Sequence, residues 1–325
     1  MAKNIAIMAG GNSSEYEISL GSANQIEKII DKTKYNPFKI FVKGRRWFYA
    51  DGQNNEYEID KNDFSITVNE KKIRLEYALI LIHGTPGEDG LLQAYFDLVG
   101  IPYSSSGFLT SAVTFDKSLC KKAVSHSGVN LAREILVRKD EKVDTEAIVR
   151  TLDLPIFVKP NASGSSCGVT KVKNTEEIEI AVNKALKESD SVIIEEFIDG
   201  TEVSCGVMVA GGKEYVFPIT EIVSKKEFFD YEAKYTGGMS DEITPARIPE
   251  DTKALLNKYT LDIYKILGCR GIARIDFIIK NRVPYMIEIN TVPGMSEGSI
   301  IPKQAKEMGM GMTELFNIII EDTSK

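Results

Sequence analysis

Gly271-Ile-Ala-Arg-Ile-Asp-Phe-Ile-Ile279 and Pro284-Tyr-Met-Ile-Glu-Ile-Asn290 are two runs of alternating apolar and polar residues, joined only by Lys280 to Val283, and they predict a β-hairpin. Successive side chains of a strand point to opposite faces. Arg274 and Asp276 then share one face, Glu288 and Asn290 share one face, and Ile275, Phe277, Ile287 and Ile289 are expected in the core. The hairpin gathers three hard oxygen donors, Asp276, Glu288 and Asn290, beside an arginine. Without a thiol or imidazole among them, such a set suits Mg²⁺, which keeps several waters and bridges one or two carboxylates to substrate phosphates. A solvated outer face of an antiparallel sheet shows the same alternation, so the pattern alone leaves both readings open.

Working outward, Asn4 to Met8 reads as a buried strand, followed by the Gly10-Gly11 turn and an amphipathic helix from about Ser19 to Ile30. The unit repeats in kind: an apolar run Ala78 to Ile82, a loop His83 to Gly90, and helical spacing over Leu91 to Val99. In open α/β sheets ligands bind outside the carboxyl ends of the strands, so Glu15 and His83 are expected to face one crevice. Residues 35 to 76 read as a small antiparallel insertion, and Ser104 to Gly107 as a linker into a helix from about Leu109 to Ser125. Strands at Ile156 to Lys159, Val169 to Val172 and Val192 to Phe197, with a helix over Glu176 to Lys187, make a second lobe. Strands near Glu202 to Val209 and Tyr215 to Ile219, a polar loop 224 to 245, a helix near 251 to 267 and the hairpin make a third. The expected division is an N-terminal α/β domain with a parallel sheet over 1–103, a central lobe over 104–195 and a C-terminal lobe over 196–325.

Three further stretches carry chemistry. Lys159 ends a strand and is followed by Ser163-Gly-Ser-Ser-Cys-Gly168, whose small residues let backbone N–H groups cradle phosphate oxygens while the lysine adds a charge. A plain surface turn is the other reading of that loop. It also matches G-x-S-x-G with Ser166 as nucleophile, but a strand instead of a helix follows it, and both His83 and His126 precede it, against the order of a hydrolase triad. Glu195 and Glu202 flank Phe197-Ile-Asp-Gly200, where a strand runs into a turn and out again; a nucleotide could lie across such a connection, with a carboxylate on its ribose, though taken singly the two acids read more simply as solvated residues beside a turn. Lys234 and Tyr235 sit in a loop with Gly237-Gly238 long enough for a lid, and an ordinary surface loop is the other reading.

The chain of 325 residues carries forty Lys plus Arg against forty-seven Asp plus Glu, a formal charge of -7, opposite in sign to a phosphate-backbone binder. Nucleic acid is thus not an expected partner. Its four cysteines are dispersed and it has two histidines, which supports neither a zinc site nor a disulfide framework and predicts reduced thiols in the cytoplasm. The run Ile5 to Ala9 is too short for a signal peptide, and no apolar run approaches the roughly 18 to 20 residues of a membrane span.

Taken together, Gly10-Gly-Asn-Ser-Ser-Glu15, His83-Gly-Thr-Pro-Gly-Glu-Asp-Gly90, Lys159-Pro with Gly164-Ser-Ser-Cys-Gly168, Asp230-Tyr-Glu-Ala-Lys-Tyr235, Arg274-Ile-Asp276 and Glu288-Ile-Asn290-Thr-Val-Pro-Gly294 resemble the ATP-grasp ligases. Within them the chain is similar to the D-alanine–D-alanine ligase family over nearly its whole length, least so over 35 to 76. The resemblance implies a three-lobed ATP-grasp architecture behind an N-terminal parallel-sheet domain, and ATP-driven joining of two D-alanines for peptidoglycan through an acyl phosphate. It implies that Lys117, Lys159 and the Ser165-Ser166 loop hold the nucleotide phosphates, with Lys234 on the γ-phosphate, and that Glu195, Glu196 and Glu202 take adenine and ribose. Asp276, Glu288 and Asn290 would bind two Mg²⁺, for which Mn²⁺ can substitute. Glu15 would pair with the ammonium of the first D-alanine, with His83 nearby, and Arg274 with the Gly294 N–H would form an oxyanion hole. Tyr235 and Ser165 would close over the second D-alanine, whose carboxylate Ser299 would hold beside Ile300. Ile300 stands where the family often has Leu, a volume-conserving change expected to be tolerated. The family also implies a homodimer, and Tyr235 implies D-alanine over D-lactate as second substrate.

Overall fold

The computed structural model describes residues 2–164, 167–224 and 240–325. The apolar run Ile5 to Ala9 forms the strand Lys3–Gly10, which lies between Tyr35–Lys43 and Tyr77–Ile80, both parallel to it. Segment 35 to 76 therefore differs from the expected insertion. Its first strand belongs to the main sheet, because the helix Tyr16–Ile29 carries the chain back across the sheet in a parallel sense. Only Arg46–Ala50, Glu56–Asp60, Ser65–Val68 and Lys71–Arg74 continue outward as an antiparallel meander.

One face of this sheet, with Ile5, Ile7, Leu79 and Leu81, is covered by the helix Tyr16–Ile29 and by the C-terminal helix Met312–Thr323 through Leu315, Phe316, Ile319 and Ile320. Thr323 Oγ1 lies 2.7 Å from the Tyr77 hydroxyl, and Thr313 donates to the Ile29 carbonyl at 2.7 Å. Phe316 is 1% exposed, so Phe316→Ala should destabilise the fold by about 3–5 kcal/mol through lost burial and the cavity left behind. Denaturant unfolding checks this, and a loss under about 1 kcal/mol would mean the helix is not a structural part of the sheet's core.

The other face packs on the helix Leu91–Val99. The expected linker is instead built in. Ser104, Ser105 and Ser106 are buried, Ser104 Oγ accepts from the Ile80 N–H at 2.9 Å, and Ser106 Oγ donates to the Arg270 carbonyl at 3.2 Å. The single expected helix after it is two, Phe108–Phe115 and Lys117–Val124. Asp116 breaks it in an extended conformation and caps the second helix by accepting the Leu119 N–H at 2.8 Å.

A central antiparallel sheet runs Thr170–Val172, Ile156–Pro160, Ser191–Glu196, Glu134–Arg138, backed by Thr145–Leu152 and Ile178–Ala185. A third sheet runs Ser240–Ile243, Thr220–Ser224, Thr201–Ala210, Ile272–Lys280, Val283–Asn290, Asn130–Leu131. The strand Ser240–Ile243 falls where sequence reading placed a loop. Helix Glu250–Ile266 covers one face of this sheet, and Ile300–Glu307 lies on the other.

The decisive hairpin forms as expected, with Arg274 opposite Asn290 and Asp276 opposite Glu288. A bulge after Asp276 pairs Phe277 with Met286, so Met286 instead of Ile287 enters the core and Ile287 lines a cavity. An unpaired extra residue re-aims the side chains on its strand, which strict alternation cannot foresee.

Candidate active site

Two adjoining cavities meet at the hairpin. The first, about 450 Å³, is lined by Glu15, His83, Arg274, Gly294, Ser299 and Ile300 among others. The second, about 440 Å³, is lined by Lys159, Glu195, Glu196 and the connection Phe197 to Gly200. Lys117, Gly164, Glu202, Asp276 and Glu288 line both.

Two loops at the carboxyl ends of parallel strands build one wall of the first cavity. Gly10 and Gly11 have φ of 97° and 107°, and a Cβ on Gly10 would sit 2.5 Å from the Val42 carbonyl oxygen, so the chain turns there only with glycine. Ser13 Oγ donates to the His83 carbonyl at 2.8 Å, which ties this loop to the one after Tyr77–Ile80. Glu15 and His83 are both buried here, as the crevice reading expected. Burial lowers the pKa of His83 against the opposing pull of Glu15, favouring the neutral ring, and His83 also hydrogen-bonds the backbone of Val292. Its Nε2 is buried with no hydrogen-bond partner among the described residues. Glu88, in the same loop, was given no role by sequence reading. It accepts the Gly84 N–H at 2.6 Å, and burial with the nearby Glu15 charge pushes its carboxyl up to about 8.

The hairpin forms the floor. Arg274 grips Asp276 with Nε at 3.0 Å and Nη2 at 2.9 Å, and Ser204 Oγ donates to the same carboxylate. Burial opposes the charge on Arg274, but Asp276 more than offsets it and the guanidinium stays protonated. Lys117 lies 3.4 Å from Glu288 and donates to the Ser163 carbonyl at 2.7 Å, so it joins the hairpin to the glycine-rich loop. Asn290 accepts the Val292 N–H at 3.0 Å, which orients its amide beside the two carboxylates. Among the described residues no three His, Cys, Asp or Glu side chains gather as a metal cage. Two cross-strand carboxylates with one amide oxygen fit a hard cation that takes its remaining oxygens from water and phosphate. At the far end Ser299 precedes the helix Ile300–Glu307, its Oγ 2.8 Å from that of Ser296.

In the second cavity the structure departs from a simple reading of the acidic residues. Both Glu195 oxygens are engaged, Oε1 by Lys121 at 2.6 Å and Oε2 by Lys159 at 2.6 Å. Burial would raise its carboxyl, but the two ammonium groups outweigh this and hold it down at about 2. Lys121 is buried and also meets Glu134 at 2.8 Å and the Ala132 carbonyl at 2.8 Å. Lys121 and Glu134 were missed by sequence reading. The spacing of Lys117 and Lys121, one helical turn apart, was the available signal for the lysine, while nothing local marks Glu134. Glu196 turns its carboxylate to Arg133, accepting from its N–H at 2.8 Å and its Nε at 2.7 Å. Glu202 lies on the strand Thr201–Ala210 at the wall shared with the first cavity. Ser165, Ser166, Lys234 and Tyr235 lie outside the described residues.

Family models described as D-ala D-ala ligase N-terminus and D-ala D-ala ligase C-terminus match residues 4–106 and 124–321. A D-alanine–D-alanine ligase of Parabacteroides distasonis is 50% identical over 100% of this chain and 98% of its own. Among solved structures, the VanG D-Ala:D-Ser ligase of Enterococcus faecalis has a TM-score of 0.88 at 30% identity, covering 99% of each chain. The D-alanine–D-alanine ligase of Bacillus anthracis complexed with ATP has a TM-score of 0.79 at 32% identity, covering 99% of this chain and 97% of that one.

Proposed function

The chain belongs to the D-alanine–D-alanine ligase family, and from that premise we propose that its two cavities are one ATP-driven ligation site making D-alanyl-D-alanine. The observation that carries the reading is the set Arg274, Asp276, Glu288 and Asn290 on one hairpin, with Asp276 and Glu288 lining both cavities and Arg274 and Asn290 lining the first, so that a phosphoryl group passing from the second cavity to the first meets them in turn.

ATP takes the second cavity. Lys159 and Lys117 hold its phosphates, with Ser165, Ser166 and Lys234 closing over them. The connection around Glu195 and Glu196 faces adenine, and Glu202 takes the ribose. Glu195 contributes by holding Lys159 in place, since both its oxygens are on lysines. The first D-alanine places its ammonium on Glu15 near His83. Its carboxylate oxygen attacks the γ-phosphorus, ADP leaves, and an acyl phosphate forms. The amine of the second D-alanine, held by Ser299, Ile300 and Tyr235, then attacks the carbonyl carbon. The C–O bond to phosphate breaks, inorganic phosphate leaves, and the proton of the attacking amine passes to that phosphate or to water. Arg274 and the Gly294 N–H stabilise the oxyanion between these events. Asp276, Glu288 and Asn290 would hold two Mg²⁺, replaceable by Mn²⁺, which neutralise charge on the phosphoryl group in transfer.

The three-part division 1–103, 104–195 and 196–325 serves this plan, with helix Lys117–Val124 packing on the core of the last part. Its neighbours Leu91–Val99 and Phe108–Phe115 leave Leu91, Leu98, Phe108 and Leu109 exposed, an apolar face that supports a homodimer. Among the described residues no helix is long and apolar enough to cross a membrane, and a cytoplasmic enzyme accords with the free cysteines.

Phosphate release from Mg-ATP should depend on D-alanine and match dipeptide formation one for one by mass detection. ATP binding without D-alanine-dependent turnover would instead indicate a silent nucleotide-binding module. The likeness to a D-Ala:D-Ser ligase makes D-serine the second reading for the second substrate. With D-alanine, D-serine and D-lactate compared across pH, D-alanine is expected to be preferred. Efficient D-lactate ligation near neutrality would overturn the assignment of Tyr235.

A further inference from the structure

Glu15 sits in the N-terminal lobe, yet its carboxylate is hemmed in by a residue from the central lobe. A Cβ built on Gly164 would lie 2.5 Å from Glu15 Oε2 and 3.5 Å from its carboxyl carbon. Gly84, from the N-terminal lobe, approaches the same oxygen, its Cβ position being 3.8 Å away. Glu15 is 7% exposed, so its carboxylate lies inside the site and not in solvent. Gly164 lines both cavities, and the neighbouring Ser163 carbonyl accepts from Lys117 at 2.7 Å. On the far side of the loop, Cys167 Sγ rests 3.5 Å from Ser14 Oγ, one residue before Glu15.

We propose that Gly164 is a positioning residue for the first amino acid: its missing side chain lets the backbone at Gly164 lie against Glu15 and fixes where that carboxylate meets the substrate ammonium. This rests on the reading of Glu15 given above. The backbone of Gly164 is not in the left-handed region, so alanine adds no backbone strain there. What must yield is the flexible end of Glu15, which converts the substitution into a displaced carboxylate and not a failed fold. The contact of a carboxylate with an ammonium is charge-assisted and sensitive to position, so about a tenfold rise in KM is expected when the carboxylate is displaced.

The test uses the full chain. Gly164→Ala should raise the KM for the first D-alanine about tenfold at saturating Mg-ATP, with kcat and the directly titrated affinity for a non-hydrolysable ATP analogue each within about twofold. Glu15→Asp, whose carboxylate is one methylene shorter, should be harmful alone but should recover about threefold or more of the lost affinity in the Gly164→Ala background. Glu15→Gln, run alongside, separates the two claims. If Glu15→Gln raises KM and Gly164→Ala does not, the proposal falls and the reading of Glu15 stands. If neither does, that reading falls and the proposal with it. Additive effects in the double variant, or loss of nucleotide affinity in step with KM, would also overturn it, because both describe a loop disturbed in general.

Discussion

Arg274→Lys should lower turnover about 10²- to 10³-fold while the protein still folds and binds nucleotide, the range set by removal of an oxyanion donor in other acyl-transfer sites. Lysine keeps a positive charge beside Asp276 but loses the planar fork that spans both of its oxygens at 3.0 and 2.9 Å. An ammonium that settles on Asp276 cannot also present a second N–H in a fixed direction to the oxygen on which charge develops. Because the carboxylate keeps a cation, the stability loss should be small beside the catalytic one. Single-turnover rates with thermal unfolding measure both, and turnover within tenfold of the parent would remove Arg274 from the chemistry.

Glu288→Gln should reduce turnover by about 10²-fold or more and shift the Mg²⁺ dependence to higher concentration, since Lewis-acid stabilisation is worth several kcal/mol. The replacement nearly preserves shape and removes one negative charge from the hairpin. Lys117, 3.4 Å from Glu288, loses an anion and keeps the Ser163 carbonyl. The readouts diverge by mechanism. If Glu288 binds the cation, calorimetric titration of nucleotide at rising Mg²⁺ moves together with turnover. If it only partners Lys117, nucleotide affinity changes while the Mg²⁺ dependence stays put. An unchanged Mg²⁺ curve thus excludes Glu288 from the metal site.

Much of this was legible before the fold was known, for reasons that differ by residue. Period-two alternation placed Arg274, Asp276, Glu288 and Asn290 correctly, because the residues from Arg274 to Asp276 and from Glu288 to Asn290 are paired without interruption. It failed at Ile287, one residue before Glu288, where a bulge resets the face and no residue type announces it. The parallel pairing of Tyr35–Lys43 was hidden because alternation reports burial of a face, not the direction of a neighbour. Ser104 to Ser106 have linker composition, yet each finds a buried place that depends on contacts far along the chain, such as the Arg270 carbonyl. The resemblance named Glu195 as a nucleotide contact, while its commitment to Lys121 and Lys159 comes from packing between a helix and two strands.

The helix Met312–Thr323 also sets the order in which the molecule can be finished. Lys3 and Ser324 are joined by a hydrogen bond across 321 positions, and Tyr77 and Thr323 across 246. A ribosome emits the strand Lys3–Gly10 long before Met312–Thr323, which supplies part of its cover. Until Met312–Thr323 is made, Ile5, Ile7, Leu79 and Leu81 present an apolar face covered only in part by Tyr16–Ile29, a docking place for a chaperone and a site of aggregation if release is delayed. Long-range closure of this kind also slows folding, since loop entropy is spent before the contact rewards it. Loss of the last turn of Met312–Thr323 would therefore be felt first at the amino ends of the two strands, where Lys3 and Tyr77 lose their partners Ser324 and Thr323.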